Sequence, residues 1–454
     1  MMKISNDLRK DSILSLVLKL AVPAMLSQLV NLLYSIIDRM YIGNIPDIGG
    51  LALAGVGVCG PIVTFLASFG TLIGLGGSIN MSIKMGANEN EEAKRILSNS
   101  FLALSVIGVV LTILFLMIKD RLIMLFGASS ITFSYANTYL TIYTLGSFFA
   151  IMAIGLNFFI TCQGFSTIGM LTVIIGAIMN IILDTIFIFV FKMGVAGAAW
   201  ATVISQFCSF LFAFLFLTGK RIPIKITYGN YSLNLIKKIV TFGFSPFFIL
   251  ATDSLILIIL NSMLQKFGGR GEGDLLISAA TIIQSYLLLI TGPLLGLTNG
   301  TQPILSYNYG ARDITRVKLA EKYTLIFALL LTTTMFILTK YLAPGFVHFF
   351  TSEEKLVSIS LWGINASILA IIPLSFQYCF VDGFTAVGRV KTAFCLSIFR
   401  KFTYMLSTYL LPLFFIARSA FYAQPIADIC GTLASCITFY FIFNKHLKRR
   451  ERIH

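Results

Sequence analysis

The chain has 454 residues, of which 57% are hydrophobic and only 12% are charged, and its mean hydropathy is +0.89. Soluble domains contain about 45–50% apolar and about 25% charged residues. The composition therefore excludes a soluble globular protein and indicates an integral membrane protein. The formal net charge of +15 would suit nucleic acid as a partner, so the placement of the basic residues decides what that charge means.

Apolar runs recur along nearly the whole chain, and each is long enough to cross the ~30 Å hydrocarbon core of a bilayer as a helix of about 20 residues. We predict an all-α membrane protein with twelve transmembrane helices. The first run continues past any small-residue cleavage site, so we interpret it as a span and not as a removed signal peptide. The predicted spans are residues 16–42, 51–79, 95–118, 136–162, 168–192, 196–219, 236–266, 274–306, 318–341, 356–384, 391–416 and 422–444.

The basic residues lie mainly on one side of these spans. With an even number of spans both termini share a side, and the short loops of that side carry about three times as many Lys and Arg residues as the opposite loops. The positive-inside rule then predicts cytoplasmic termini and a multi-pass protein of the cell membrane. The charge suits contact with anionic lipid head groups, and we expect no nucleic-acid partner. The basic residues inside the membrane, Arg39, Arg400 and Lys401, are few and are expected near helix ends.

The two halves of the chain echo each other. In "LAVPAMLSQLVNLLYSIID" Pro23 precedes Asp38 by fifteen residues, and in "FGFSPFFILATDSLILIILN" Pro246 precedes Asn261 by the same interval, at a lag of 223. The stretches "GGSINMSIKMGANENEEAKR" and "GTQPILSYNYGARDITRVK" share the spacing of two glycines and a lysine at a lag of 224. The motif "QGFSTIG" matches "DGFTAVG" at a lag of 219.

Three matches in the same order at nearly constant lag indicate a duplication. Each half carries six spans, so the halves form a parallel repeat of two six-helix lobes, an arrangement that suits alternating access around a central cavity. We assign residues 1–222 to the amino-terminal lobe, 223–235 to a cytoplasmic connector and 236–454 to the carboxy-terminal lobe.

Polar side chains inside the predicted spans are few, and an ionised one costs about 2.5–3.5 kcal/mol at the bilayer centre. Asn180 and Asp184 are four residues apart, so they project from one face of the fifth helix. Together with Asp38, Asn157 and Thr202 from other spans they could complete a polar pocket. A carboxyl group in such a pocket is a candidate carrier of a proton or an ion.

These residues also allow a purely structural interpretation, in which they only join helices by buried hydrogen bonds. Asp38 could in addition pair with Arg39 at the membrane interface, although adjacent residues do not face each other on a helix. Candidates for contact with a substrate are Tyr34, Asp38, Tyr139, Asp184, Asp253 and Gln284.

The sequence gives little support to an enzyme. The seven cysteines and three histidines show no metal-ligand spacing or catalytic grouping. No H-E-x-x-H, G-x-S-x-G or P-loop motif occurs in the sequence. We therefore expect neither an intramembrane enzyme nor an ATP-driven pump, and no cofactor.

In its repeat and its polar residues, the chain resembles the multidrug and toxic compound extrusion (MATE) family, in the branch of MepA-type and DinF-type exporters. The resemblance covers all twelve spans and is carried by "VPAMLSQLVNLLYSIIDRMYIG", "NIILD", "GAAWATVISQ" and the repeated glycine turns. It implies a secondary active multidrug exporter that acts as a monomer. Such a protein exchanges organic, mainly cationic and amphipathic, compounds for protons or sodium ions.

The resemblance also implies roles for single residues. Asp38 matches the first-helix acid that is central to coupling. Asn180, Asp184 and Thr202 match the amino-terminal network that binds the coupling cation, and with Asp38 they would hold sodium if sodium is that cation; Asn157 is a weaker match.

Two alternatives stay open beside this interpretation. Some sodium-coupled members of the family use acids on the seventh and tenth helices, and here Asp253 and Asp382 lie near those places. A related flippase of lipid-linked oligosaccharides is the rival function. It would need a cavity rich in Arg or Lys to bind pyrophosphate.

Overall fold

The computed structural model describes residues 7–46, 48–126, 128, 131–220 and 222–452, and these ranges contain helices and no β-strand. The all-α prediction is confirmed. Within them lie the α-helices α1 (Ile13–Gly43), α2 (Gly49–Gly86), α3 (Asn90–Leu125), α4 (Phe133–Thr161), α5 (Ser166–Asp184), α6 (Gly194–Thr218), α7 (Leu233–Gly310), α8 (Ile314–Phe350), α9 (Glu354–Ser367), α10 (Ile371–Ala386), α11 (Val390–Phe414), α12 (Ala423–Thr438) and α13 (Asn444–Arg452).

Eleven segments of the described chain are long and apolar enough to cross a membrane. They correspond to eleven of the twelve predicted spans, and the protein is a multi-pass membrane protein. The remaining predicted span, 391–416, forms α11. It is not one of the eleven segments, and the charged residues Arg400 and Lys401 lie at its middle; this position corrects the expectation that they lie near a helix end.

The seventh and eighth predicted spans lie within the single helix α7, which contains the apolar segments Leu233–Asp253 and Leu275–Gly310. A Cβ added to Gly268 would lie 2.8 Å from the Cα atom of Gly273. Five residues of a straight α-helix advance by about 7.5 Å. The chain therefore turns sharply between these glycines. The helical structure nevertheless continues through the predicted boundary between the seventh and eighth spans.

The tenth predicted span is made of two helices. A 3₁₀ turn at Ile368–Ala370 separates α9 from α10. Pro373 follows closely, and because proline lacks a backbone N–H it cannot complete the α-helical hydrogen bond to the carbonyl of Leu369. The local sequence thus explains why the helix is interrupted here.

The duplication appears in the structure as helix ends that recur at a lag of 224, as in the pairs Gly86 and Gly310, Asn90 and Ile314, and Ser166 and Val390. The turn after α4 has Gly164 at φ +88°, and the turn after α10 has Gly388 at φ +78°. Glycine enters this left-handed region without steric cost. These two glycines are therefore the equivalent pair, and the lag of 219 inferred from "QGFSTIG" and "DGFTAVG" is wrong by five residues.

The chain forms two compact units. The amino-terminal unit comprises Leu26–Ala251 and the segment up to Asp11, and the carboxy-terminal unit comprises Ser12–Met25 and the chain from Thr252 onward. The first part of α1 thus belongs to the carboxy-terminal unit, and the first part of α7 belongs to the amino-terminal unit. The lobe boundaries predicted at residues 222 and 236 place each of these two helices entirely in one lobe. These boundaries stay a prediction.

Small residues explain why the two helices are shared in this way. In the carboxy-terminal unit a Cβ on Gly296 of α7 would lie 2.7 Å from the Cα atom of Met25 on α1. In the amino-terminal unit a Cβ on Gly243 of α7 would collide with the backbone carbonyl of Leu72 on α2. Only glycine allows the backbones to approach this closely.

The predicted connector packs on the amino-terminal unit. The backbone N–H of Ser232 donates to Asn99 Oδ1 (2.8 Å), and the backbone N–H of Ile224 donates to Gln163 Oε1 (2.9 Å). These bonds satisfy backbone groups that would otherwise need water. The connector is therefore held against α3 and the turn between α4 and α5.

Candidate functional site

Two carboxyl groups meet in the amino-terminal unit. Asp38 on α1 is 9% exposed, and Asp184 at the end of α5 is 0% exposed. Their side chains lie within hydrogen-bonding reach of each other. Oδ1 of Asp38 and both carboxyl oxygens of Asp184 have no hydrogen-bond partner among the described residues. Because burying such groups unpaired is costly, the pair is suited to hold a proton or a cation.

Asp38 is not paired with its neighbour in the chain. Arg39 is exposed while Asp38 is buried, so the two side chains lie in different environments. The ion pairs formed by the described residues do not include one between them. The interface pairing considered from the sequence is therefore not observed.

The backbone changes its winding directly after Asp184. The segment Thr185–Val190 is a π-helix, a local form that is frequent at functional sites. Thr185 Oγ1 donates to the hydroxyl oxygen of Tyr41 on α1 at 3.4 Å. Tyr41 lies one turn beyond Asp38, so this contact holds the end of α5 beside the part of α1 that carries the first carboxyl group.

Asn180 and Thr202 join the same cluster. Asn180 Nδ2 donates to Thr202 Oγ1 at 3.4 Å, while Asn180 Oδ1 has no hydrogen-bond partner within the described ranges. Asn180 lies one helical turn before Asp184 on the same face of α5. The structure therefore brings together Asp38, Asn180, Asp184 and Thr202, from three helices, with several oxygen atoms available to a cation.

Tyrosines surround this polar cluster. Tyr34 of α1 lies near both carboxyl groups, and Tyr139 of α4 lies near Asp38 and Thr202. The ring of Tyr139 stacks on that of Tyr143, with centroids 6.3 Å apart and planes 9° apart.

Two members of the cluster, Tyr143 and Gln206, were not predicted from the sequence. Tyr143 lies next to Gln206 of α6. Tyr143 follows the predicted residue Tyr139 by four positions, and Gln206 follows the predicted residue Thr202 by four positions. Helical spacing would therefore have identified both.

Asn157 lies elsewhere. Its Nδ2 donates to the backbone carbonyl of Gly169 at 3.1 Å, near the start of α5. Gly169 and Asp184 are fifteen residues apart on this helix, which corresponds to about 22 Å along its axis. The structure therefore does not bring Asn157 into the pocket with Asp38, because α4 meets α5 at the opposite end.

Asp253 and Gln284 belong to the carboxy-terminal unit, in a charged network around α11. Asp253 forms an ion pair with Lys401, whose side chain is buried. Arg400 Nη1 donates to Oδ1 of Asp428 at 2.8 Å, and Asp428 is 1% exposed. Gln284 lies beside Tyr404 of the same helix α11. Each basic group thus has an acidic partner.

The donor set of the amino-terminal cluster limits which cation it could hold. Among the described residues, no three or more His, Cys, Asp or Glu side chains are grouped so that they could hold a metal ion. Calcium takes six to eight oxygen ligands, several of them carboxylates in its usual sites. Two carboxyl groups with one amide and one hydroxyl are better suited to a proton or a monovalent ion.

Comparisons with known proteins agree with this fold. The chain is 23% identical over 441 residues to the multidrug export protein MepA of Staphylococcus saprophyticus, with 95% of each chain covered. It is 22% identical over 441 residues to MepA of Staphylococcus aureus, again with 95% of each covered.

Solved structures show the same architecture. An outward-facing multidrug resistance MATE family transporter of the MOP superfamily has a TM-score of 0.89 at 22% identity, covering 97% of this chain and 98% of its own. A MOP superfamily transporter from Pyrococcus furiosus has the same TM-score and identity, covering 100% and 99%; its binding pocket of reverse polarity is described as suggesting a different function. The MatE family model matches residues 23–186 and again 247–410, a repeat at the lag of 224 seen in the helix ends. Because these matches cover more than half of the sequence, the chain belongs to the MatE family.

Proposed function

We propose that this protein is a secondary active exporter of organic, mainly cationic and amphipathic, compounds, which it exchanges for protons or sodium ions by alternating access. The observation that carries the proposal is the pair of buried carboxyl groups of Asp38 and Asp184, of which Asp38 Oδ1 and both oxygens of Asp184 find no hydrogen-bond partner in the part of the chain that the structure describes. Relatives along 95% of the chain are named multidrug export proteins, which supports export as the activity.

Coupling follows from competition for the same carboxyl groups. A ligand shifts an equilibrium between two conformations only by its different affinities for them. When a proton or sodium ion occupies Asp38 and Asp184, their charge is offset and their attraction for a cationic compound is lost. Each ligand therefore lowers the affinity for the other, and this reciprocal effect links the two fluxes.

The surroundings of the pair favour organic cations. Tyr34 and Tyr139 lie beside the carboxyl groups, and the face of an aromatic ring attracts a cation that has lost its water. Asn180 and Thr202 supply the amide and hydroxyl oxygens that would complete the coordination of a small coupling cation. No cofactor and no catalytic role is assigned to these residues.

We place both termini in the cytoplasm and the protein in the cytoplasmic membrane, because Lys and Arg are concentrated in the loops on the side of the termini. Each chain carries its own complete cluster within one compact unit, so we propose that a monomer is the working form. The partners are then small organic compounds, the coupling cation and membrane lipid.

The proposal is tested by efflux of a fluorescent organic cation from proteoliposomes that contain the purified chain. A proton gradient and a sodium gradient are imposed separately, with Asp184→Asn protein as the matched control. Transport driven by either gradient and absent from the control supports antiport and identifies the coupling ion. Failure of folded protein to transport under both gradients contradicts the proposal.

One observation favours a second candidate, a flippase of lipid-linked oligosaccharides. Arg400 and Lys401 lie at the middle of α11, where basic groups could contact a pyrophosphate. Their ion pairs with Asp428 and Asp253 leave this network without excess positive charge, which favours the exporter. Binding of a lipid pyrophosphate that is lost in Lys401→Gln protein, without drug transport, would support the flippase instead.

A further inference from the structure

The amide group of Gln206 on α6 has no role in the proposed exchange of cations. Its Oε1 atom is buried and has no hydrogen-bond partner in the described part of the chain. Two serines close to it on the same helix are satisfied within the protein, because Ser205 donates to the carbonyl of Thr202 (2.8 Å) and Ser209 donates to the carbonyl of Thr172 on α5 (3.1 Å). A buried acceptor that is left unpaired costs free energy. A ligand that donates to Gln206 Oε1 would remove this cost.

The position of Gln206 connects it to the carboxyl pair. Tyr139 of α4 lies beside Thr202, and Tyr143 lies beside Gln206. In both pairs the α6 residue follows the α4 residue by 63 positions in the chain, so the two helices face each other over two successive turns. Gln206 is four residues after Thr202 and on the same face of α6. It therefore lies about 6 Å along the helix axis from the cluster that holds the two carboxyl groups.

The contact between α4 and α6 does not require an amide. The helices approach closely at Gly146, where an added Cβ would collide with the side chain of Val203. At the lag of 224 the position of Gln206 is occupied in the other half of the chain by Cys430, and that of Tyr143 by Ser367. The repeat is thus built without a long polar side chain at this position. Gln206 therefore needs an explanation other than packing.

We propose that Gln206 Oε1 accepts a hydrogen bond from an N–H or O–H group of the exported compound, placed about one helical turn from its positive charge; this inference rests on the proposed function. The charge of the compound lies at Asp38 and Asp184, and its flat ring system lies along Tyr139 and Tyr143. The carboxyl pair attracts any organic cation. Gln206 adds selectivity, because an analogue without the donor leaves the buried oxygen unpaired.

The test compares two fluorescent dyes that share one tricyclic ring system and are both cations at neutral pH. Proflavine carries two primary amino groups, whereas in acridine orange both amino groups are dimethylated and cannot donate. Equilibrium binding of each dye to the purified full chain is measured in nanodiscs of phosphatidylcholine, and the signal of empty nanodiscs is subtracted. The measured quantity is the dissociation constant of acridine orange divided by that of proflavine. This ratio cancels effects that both dyes share, such as a change in the charge of the site.

Three variants separate the hydrogen bond from other effects. Gln206→Met keeps the length of the side chain and removes the amide, and we expect the ratio to fall about tenfold. Gln206→Glu retains an acceptor and should retain the preference for proflavine. Ser209→Ala, one turn further along α6, is the control and should leave the ratio unchanged, because its hydroxyl is already paired with Thr172. Thermal unfolding checks that all proteins are folded.

The outcomes distinguish this inference from the proposed function. Binding of both dyes with an unchanged ratio in Gln206→Met overturns the role of Gln206 and leaves export of organic cations supported. A fall in Ser209→Ala as large as that in Gln206→Met also overturns it, since the effect would then not be specific to the amide. Binding of neither dye to the folded unmodified protein contradicts the proposed function and this inference together.

Discussion

Asp38 on α1 and Asp184 at the end of α5 bring their carboxyl groups together from helices that are far apart in the sequence. No basic side chain forms an ion pair with either of them among the described residues, although Arg39 is adjacent in the chain. In the proposed exchange, these two carboxyl groups bind a mobile ligand, either the coupling cation or the exported compound. This relationship is the basis of the first two predictions.

The proposed function predicts that replacing either carboxyl group by an amide strongly impairs cation-coupled export. We expect Asp38→Asn and Asp184→Asn each to lower the transport rate at least about tenfold, because a neutral amide cannot exchange a proton or sodium ion for a cationic compound. Efflux from proteoliposomes and the amount of folded protein are measured together. The exposed Asp120→Asn is the control, and unimpaired efflux from both amide variants would contradict the assignment.

The proposed function predicts that the hydroxyl group of Thr202 supports binding of the coupling cation. Thr202→Val keeps the shape of the side chain but removes the oxygen that accepts from Asn180, so we expect the apparent affinity for the coupling cation to fall about tenfold. Thr202→Ser retains the hydroxyl and should behave nearly as the unmodified protein. The concentration of the cation that gives half-maximal efflux measures the effect. Equal behaviour of the two variants would exclude a role for the hydroxyl.

The ion pair of Arg400 and Asp428 makes the carboxy-terminal unit sensitive to loss of one partner. Asp428→Ala leaves the guanidinium group of Arg400 on α11 without its acidic partner. We expect the free energy of unfolding to fall by about 3–5 kcal/mol. The double variant Arg400→Met with Asp428→Leu removes both charges and should recover most of that loss. Thermal unfolding in detergent compares the three proteins. A double variant no more stable than Asp428→Ala would show that the charge is not the cause.

Close approach of α1 and α7 depends on Gly296 and not on Gly292. Gly296→Ala would place a methyl group 2.7 Å from the Cα atom of Met25, and the required backbone shift should cost about 1–3 kcal/mol. Apart from the backbone of its own helical turn, no described atom lies within 4 Å of a Cβ added to Gly292, one turn earlier. Gly292→Ala should therefore be neutral or stabilise the helix by up to about 1 kcal/mol.

The midpoint of thermal unfolding, measured for both single variants in the same detergent, checks this difference. Because the two glycines lie on the same helix, the comparison separates the effect of the contact from that of helix propensity. Equal midpoints for Gly292→Ala and Gly296→Ala would mean that this crossing does not limit stability.

The site was only partly predictable, because helical periodicity is a local rule. Asn180 and Asp184 could be placed on one face of α5 from their spacing alone. Asn157 was grouped with them because its helix is close in the sequence, but its position along α4 directs it to the other end of α5. Glu321 of α8, a buried acidic residue outside this site, was not recognised at all. It lies just inside the predicted span 318–341, three residues after the charged stretch "RDITRVK", and only its packing against α10 shows that it is buried.

The sequence by itself determined that the chain is a helical membrane protein built from a duplicated six-span half. Lipid offers no hydrogen bonds to the backbone, so each crossing must be a helix made of a long apolar run, and such runs are visible without a structure. The register of the duplication, 224 residues at the turn glycines Gly164 and Gly388, was decided by the structure.

Only the tertiary structure decided which polar groups share a pocket. It joined Asp38 to Asp184, gave Arg400 and Lys401 their acidic partners, and divided α1 and α7 between the two compact units. The physical reason is that these contacts join distant helices, and their formation depends on how closely the helix backbones approach. That approach is set by small residues such as Gly296, whose effect appears only when the facing helix is known.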